Sequence, residues 1–219
     1  MADDPGEEEG DNERELELST VAAIYPELIR NLDLGPFSAS IDIPVDPVKG
    51  LLIRFPAPEG APPNYLSAPN STDEGFVVQS GGIEERIATD ENTPRDAHRL
   101  SHLPPLKLRV LLPDGYPTEQ PPIIYLDSQY SWLPERKLQD LRWAGKTLWK
   151  DMGGDQVVFA YIDYLREVAE NGFDLGLAEE EALNISADLK VGLLDFDLRA
   201  KRVKFEKATF ECGVCLGKP

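Results

Sequence analysis

The chain contains two cysteines, Cys212 and Cys215, which stand two residues apart close to its C-terminal end. Two thiolates at this spacing can bind one tetrahedral Zn²⁺, because the turn between them brings both sulfurs to the ion. The competing chemistry is a redox dithiol, which would require a strand-to-helix setting that the surrounding residues do not indicate. One pair supplies half of the four ligands that a structural zinc ion needs. We therefore expect the sequence to stop inside a zinc-binding domain.

His98 and His102 are four residues apart, a spacing that could place both rings on one helix face for metal binding. Residues 94–105 do not carry a helical pattern, so we interpret both as surface or strand-entry histidines. Neither a Gly-rich phosphate loop nor a nucleophile with a base and an orienting acid is evident, so we predict no catalytic residue. Three tryptophans are predicted to be core and loop anchors around one helix: Trp132, Trp143 and Trp149.

The amino-acid composition limits the classes of macromolecule that the chain can bind. The chain has 219 residues, room for one domain plus appendages, and 40 acidic against 22 basic residues give a net charge of −18. Such a field repels nucleic-acid phosphates and anionic membranes, which predicts neither nucleic acid nor membrane as a partner. The charge could favour a basic protein partner, but solubility is the simpler reason for it. The N-terminus is acidic, whereas a secretory signal begins with basic residues and continues with an apolar run. We expect an intracellular protein, cytoplasmic and also nuclear.

A proline-rich connection is the most specific local pattern. It lies between two apolar runs, Leu106–Leu112 and Ile123–Leu126, that are typical of β-strands. Its prolines fix φ and donate no backbone hydrogen bond, so the loop is predicted to be stiff. The Tyr116 hydroxyl can bond a backbone group and pin the loop. We predict a structural motif made of Tyr116, Pro117, Pro121 and Pro122.

The elements that position these residues follow from hydrophobic periodicity. The predicted order begins with a disordered acidic tail over 1–11, a helix over 12–25 and strands over 37–43 and 51–55. A long insertion over 56–102 and the two strands named above follow. The chain then continues with a helix ending at Gly153-Gly154, a helix over 156–170, an acidic linker over 173–184 and a helix over 185–208. This order predicts an α+β fold: a four-stranded antiparallel sheet with helices packed on one face, followed by a C-terminal helix.

The run Ile24-Tyr25-Pro26-Glu27-Leu28, the motif Tyr116-Pro117-Thr118-Glu119-Gln120-Pro121-Pro122 and the two helices that follow together resemble an RWD domain. That domain is related to the ubiquitin-conjugating fold and serves in protein binding, and the resemblance assigns it to residues 12–172. Further runs are similar to the N-terminal half of RING-between-RING ubiquitin ligases related to ring finger protein 14: Leu103–Leu106, Leu112-Pro113, Trp132-Leu133, Leu148-Trp149 and Val157–Tyr161.

Residues 205–215 are similar to the lead-in and first zinc-ligand pair of the first RING of these ligases. Such ligases pass ubiquitin from a conjugating enzyme to a cysteine in their last RING-like domain, and then to a substrate amine. The resemblance implies zinc in the RING domains, a conjugating enzyme bound there, and a protein partner, a ribosome-associated scaffold, bound by the RWD domain. Residues 209–219 would be the truncated start of the first RING. We expect the 219 residues alone to be non-catalytic and the helix over 185–208 to be loosely attached.

Two alternatives stay open. The first is a stand-alone RWD adaptor in which the pairing of Cys212 and Cys215 is accidental. The second is a ubiquitin-conjugating enzyme, which would need a cysteine within residues 127–150 to form a thioester, and the sequence has none there. Further Cys and His pairs at zinc spacing beyond residue 219 would favour the ligase over both.

Overall fold

The computed structural model describes residues 5–31, 33–56, 96–175 and 182–210. Its helices are α1 (Pro5–Ile24), α2 (Glu135–Asp151), α3 (Val158–Glu170) and α4 (Lys190–Phe210). Its strands are β1 (Ile29–Arg30), β2 (Ser38–Val45), β3 (Leu51–Arg54), β4 (Ala97–Leu100), β5 (Leu103–Leu111), β6 (Ile123–Ser128) and β7 (Leu183–Asn184). None of the helices in these ranges is both long and apolar enough to cross a bilayer.

Four strands form an antiparallel sheet in the order β1-β2-β5-β6, which confirms the predicted α+β class. Opposite residues such as Ile41, Leu108 and Leu126 stand in register across three strands. Because side chains alternate between faces in a strand, this register places a continuous apolar layer on one face. That layer is buried, and its members are Ala39, Ile41, Ile43, Leu106, Leu108, Val110 and Leu126. Helix α2 contacts β6 and α3 contacts β2, so the inner face of the sheet is the core.

The predicted strand over 51–55 lies in a second sheet and not in the first. Its counterpart β3 pairs antiparallel with β4 and parallel with β7. The register between β2 and β5 shifts between Ile43 and Val45. Pro44 stands at this shift and has no N–H to donate, so the ladder is interrupted just before the chain passes to the second sheet.

Helix α1 begins at Pro5, seven residues earlier than predicted, so residues 5–11 do not form the predicted disordered tail. Proline suits the first position of a helix, and glutamates suit the first turn, where the helix dipole is positive. The apolar residues of the sequence, Leu16, Val21, Ile24 and Leu28, recur mostly at helical spacing and would predict that Leu16 is buried. Leu16 is 60% exposed, whereas Arg14 and Glu17 are buried beside Leu18. Apolar periodicity could not indicate this, because two charged residues occupy inward positions.

Helix α4 begins at Lys190 rather than at residue 185, and β7 and a 3₁₀ turn precede it. Its first half is not loosely attached as predicted, because Leu193 and Asp197 are buried against the domain. The predicted insertion over 56–102 is also shorter in the structure, since β4 and the two residues after it belong to the body of the fold. Residues 57–95 lie outside the described residues.

Candidate functional site

The start of α3 lacks a local cap, and distant side chains provide one. Val157 precedes the helix and its side chain makes no capping hydrogen bond. The Val157 amide donates to the Tyr116 hydroxyl at 2.9 Å, and the Val158 amide donates to Glu17 Oε1 at 2.8 Å. Two of the amides that a helix start leaves unpaired are therefore satisfied by the Pro-rich loop and by α1. The Tyr116 hydroxyl thus has the backbone partner that the sequence predicts.

Further contacts fix the Pro-rich loop, residues 116–122, against α2. The Trp149 indole N–H donates to the Pro117 carbonyl at 2.7 Å. Gly154 has φ +79°, and a Cβ there would lie 3.2 Å from the Thr118 carbonyl oxygen. This close approach of two backbones requires a glycine. The Tyr116–Pro117 peptide bond is cis.

Burial sets the ionisation of this cluster. Burial raises the pKa of the Tyr116 phenol, and the neighbouring Glu17 carboxylate raises it further. Burial likewise raises the pKa of Glu17 above its usual range. The hydroxyl therefore stays protonated at physiological pH and serves as a hydrogen-bonding group rather than as a nucleophile.

Arg14 joins α1 to the strand that precedes the loop. Its guanidinium pairs with Asp114 at 2.7 Å, donates to the Leu112 carbonyl at 3.4 Å and lies 4.1 Å from the centre of the Phe37 ring. A buried guanidinium needs such partners, because an unpaired buried charge is costly. The loop is therefore supported from α1 as well as from α2 and α3.

A second polar cluster attaches α4 to the start of β5, and we call it the Asp197 latch. Asp197 Oδ1 accepts hydrogen bonds from the backbone amides of Ser101 and His102, both at 3.0 Å, and lies 3.4 Å from the His102 ring. Lys201 bonds the other carboxylate oxygen at 2.6 Å. Burial acts to raise the pKa of Asp197, but the hydrogen bonds from Lys201 and the two amides outweigh it and lower the pKa. Sequence reasoning missed this residue, because an aspartate within a charged helix carries no signal of burial.

The structure describes the two histidines among the predicted metal candidates. His98 lies within β4 and His102 immediately precedes β5, so the two do not share a helix face and the strand-entry interpretation is confirmed. Among the described residues, no three His, Cys, Asp or Glu side chains converge to hold a metal ion. Cys212 and Cys215 lie outside the described residues.

Two of the three tryptophans are anchors, as predicted. Trp132 is buried and donates to the Pro104 carbonyl at 3.0 Å, and Trp149 binds the Pro-rich loop. Trp143 is 65% exposed on α2, so the prediction was wrong for it. A buried indole N–H generally needs a hydrogen-bond acceptor, but the residues next to a tryptophan in the sequence do not predict whether its indole will be buried.

The outer face of the four-stranded sheet carries apolar and aromatic side chains that are open to solvent. Ile29 is 66% exposed, and Ile123 and Tyr125 are each 40% exposed. The Arg109 guanidinium lies 5.5 Å from the Tyr125 ring centre and pairs with Asp127 at 3.0 Å. Tyrosine and arginine are enriched among residues that dominate protein–protein binding. The outer face of the described sheet thus exposes side chains of the types that protein–protein contacts use.

A family model described as RWD domain matches residues 12–169. The E3 ubiquitin-protein ligase itt1 of Schizosaccharomyces pombe is 29% identical over 211 residues, which are 95% of this chain and 40% of that protein. The E3 ubiquitin-protein ligase RNF14 of Danio rerio is 27% identical over 153 residues, 54% of this chain and 33% of that protein. Human RNF14 is 34% identical over 70 residues, 32% of this chain and 14% of that protein. The chain thus spans at most 40% of these relatives. No solved structure matches it significantly.

Proposed function

The chain belongs to the RWD domain family, and from that premise we propose that it is the protein-binding module of a RING-between-RING E3 ubiquitin ligase. One observation carries the proposal. The alignment with the fission-yeast ligase covers 95% of the chain, whereas the RWD match ends at residue 169. The similarity therefore continues through most of the last 50 residues, which favours a ligase over a stand-alone RWD adaptor.

The module would recruit the protein that the ligase modifies. The Pro-rich loop and its caps make the domain rigid, and a rigid surface loses little conformational entropy when a partner binds. The proposed partner is a ribosome-associated scaffold, which links the ligase to quality control of translation. Ubiquitin-conjugating enzyme would bind the RING and not the RWD domain. The proposed location is the cytoplasm, with the nucleus as a second compartment.

Cys212 and Cys215 would be the first ligand pair of a zinc ion in the first RING. The donor set fits this metal, because thiolates at a two-residue spacing are common ligands of structural zinc. When bound, the ion supplies folding energy to the RING rather than reacting with ubiquitin. In the 219-residue chain the pair provides half a site, so we expect rapid maleimide labelling of both thiols. Extending the chain through the RING should protect them and bring in zinc, as measured by metal analysis.

Ribosome association tests the recruiting role. The 219-residue chain would be tagged, expressed in cells and cross-linked. It should then sediment with ribosomes in a sucrose gradient. Mass spectrometry of the cross-links should identify a non-ribosomal scaffold. Two exposed aromatic residues on different surfaces, Tyr125 and Trp143, locate the contact when each is replaced by alanine. Chain found wholly at the top of the gradient would contradict recruitment to ribosomes.

Ubiquitin transfer distinguishes the remaining alternative, a ubiquitin-conjugating enzyme. Incubation of the 219-residue chain with activating enzyme, ATP and ubiquitin should give no adduct that a thiol reagent releases, because the cysteine that such an enzyme needs within residues 127–150 is absent. A stoichiometric thioester on Cys212 or Cys215 would overturn the proposal.

A further inference from the structure

Helix α4 consists of a first half that packs on the domain and a second half that stands clear of it. Leu193 and Asp197 are buried, and Leu194 packs against the core. From residue 198 to residue 206, every side chain is exposed except that of Ala200, which is half-buried. These positions make about two and a half turns, so they point to every side of the helix. The rest of the described chain therefore leaves this half uncovered.

We name the second half of α4, residues 198–210, the α4 stem. Ion pairs between residues four apart support it from within the helix: Asp195–Arg199 at 2.7 Å, Asp197–Lys201 at 2.6 Å and Arg202–Glu206 at 2.9 Å. Such pairs stabilise a helix without help from a core. A helix that is exposed on all sides and carries several of them is typical of a bridge through solvent between two domains.

The apolar residues of the α4 stem do not form a continuous face. Leu198 and Phe205 are seven residues apart, and Lys201 and Arg202 lie on the surface between them. Val203 lies on another side of the helix, about 140° from Leu198. A helix that docks through an apolar face needs a continuous apolar stripe. The pattern of the α4 stem therefore favours a spacer over a binding surface.

The first half of α4 fixes the direction in which the α4 stem points. The Asp197 latch joins this half to the start of β5, and Lys190 pairs with Asp96 about two turns earlier. Two attachments at different points along a helix fix the direction of its axis. The α4 stem contains neither glycine nor proline, the residues at which helices commonly kink. It therefore continues the axis of the first half as a stiff rod.

We propose that the α4 stem is a rigid spacer that sets the distance and the direction of the zinc domain relative to the RWD domain. The inference rests on the proposed function, because it takes Cys212 and Cys215 as the first zinc ligands of that domain. A helix rises about 1.5 Å and turns about 100° per residue, so the stem spans about 20 Å. A partner bound by the RWD domain would then meet the catalytic domains of the ligase in one orientation, which favours transfer.

Electron spin resonance on the 219-residue chain tests whether the α4 stem is rigid. Cys212→Ser and Cys215→Ser remove the natural thiols. Lys146→Cys and Lys204→Cys then place one spin label on α2 and one on the stem, both at exposed positions. A pulsed measurement of the distance between the labels should give one narrow distribution. A dipolar signal from chains that carry a single label would overturn the proposal, because the stem would then lie against a second copy.

Two reference proteins define narrow and broad distributions. Lys146→Cys with Glu167→Cys labels α2 and α3, which belong to the body of the domain, and the stem pair should give a distribution as narrow as this one. Four glycines inserted between Ala200 and Lys201 interrupt the helix and should broaden the distribution of the stem pair by about twofold or more. If the uninterrupted chain is as broad as the glycine variant, the stem is not a rigid spacer.

The same chain extended through the RING tests what the α4 stem holds. Fluorescence energy transfer between a label at Lys146 and one coupled enzymatically to the C-terminus should show one narrow population. Seven alanines inserted after Glu206 should lengthen this distance by up to about 10 Å and keep the population narrow, whereas four glycines there should broaden it. An extended chain without zinc would overturn the proposed function and with it the spacer. Bound zinc with equally broad populations in all three chains would overturn the spacer alone.

Discussion

The Pro-rich loop and helix α4 are both held by side chains distant in sequence, but they differ in how many contacts hold them. The loop is supported from three helices, since Trp149 on α2 donates to its backbone, the start of α3 donates to the Tyr116 hydroxyl, and Glu17 on α1 hydrogen-bonds the same hydroxyl. Helix α4 is held by buried Leu193, by Leu194 packed against the core, by the Lys190–Asp96 ion pair and by the Asp197 carboxylate. Contacts that converge from several elements make a region part of the global unfolding unit, whereas a few contacts permit local opening. Damage to the loop should therefore unfold the domain, and damage to the latch should release one helix.

The largest expected effect is at the loop. Tyr116→Ala should lower the free energy of unfolding by about 3–5 kcal/mol, because a buried aromatic ring is lost. Tyr116→Phe should lower it by about 1–3 kcal/mol, because the Val157 amide loses its acceptor. Urea denaturation would measure both values. If the two variants unfold like the wild type, the loop is not an organising element of the domain.

Gly145→Ala tests how tightly α2 packs on the sheet. A Cβ at this position would overlap Ile124 Cδ1 and lie 3.0 Å from the Tyr161 ring. Overpacking of this kind should lower the free energy of unfolding by about 1–3 kcal/mol, as urea denaturation would show. A variant as stable as the wild type would mean that the Ile124 side chain can move aside without cost.

Asp197→Asn should release α4 without melting the domain. Losing the charge weakens the bonds from the two amides and from Lys201, so local opening of α4 should become easier by about 1–3 kcal/mol. Hydrogen exchange read by mass spectrometry should show faster exchange in α4 and unchanged exchange in β5. Asp195→Asn is the control, because in the part of the chain that the structure describes Asp195 pairs with Arg199 at the exposed side of the same helix.

The pH dependence of the latch follows from the same carboxylate. The pKa of Asp197 is lowered on folding from its ordinary 3.8, so its stabilisation is present above that value and is lost as the pH falls through the folded pKa. Wild-type α4 should therefore loosen in strong acid, whereas the Asn variant should show no such transition. Equal acid profiles for the two proteins would exclude the latch as the cause.

Glu17→Gln should change the pH dependence of global stability in the opposite sense. Burial raises the pKa of Glu17 in the folded state, so its contribution is fully present below the ordinary pKa of 4.5 and is lost as the pH rises through the folded pKa. As the pH rises from 4.5 through the raised pKa of Glu17 in the folded state, the wild type should lose stability relative to the Gln variant. Urea denaturation at several pH values would show this. Glu15→Gln is the control with the opposite sign, because the hydrogen bond from Arg30 lowers the pKa of Glu15.

The smallest expected effect is at Gly192 in α4. A Cβ there would meet no atom within 4 Å, in contrast to Gly145. Gly192→Ala should therefore stabilise α4 by about 0.5–1 kcal/mol, through the higher helix propensity of alanine. Slower hydrogen exchange in α4 would show this. Faster exchange would mean that the helix packs against more than the described contacts.

The sequence by itself determined the elements whose signals are local. Apolar residues recur at every second position in β2 and β5 and at every third or fourth position in α3, so each pattern can be recognised from neighbouring residues. The stiffness of the Pro-rich loop is local too, because each proline restricts its own backbone. These signals sufficed for the α+β class and for a backbone partner of the Tyr116 hydroxyl.

Only the tertiary structure decided which polar residues are buried and which strands share a sheet. The Val158 amide donates a hydrogen bond to Glu17, which is 141 positions away in the sequence, and the His102 amide donates one to Asp197, which is 95 positions away. Neither acid differs in its local pattern from solvated neighbours such as Glu15 and Asp195. A buried carboxylate is stable only where donors from elsewhere in the chain converge on it. That convergence depends on how helices and strands pack together, and no short stretch of sequence records it.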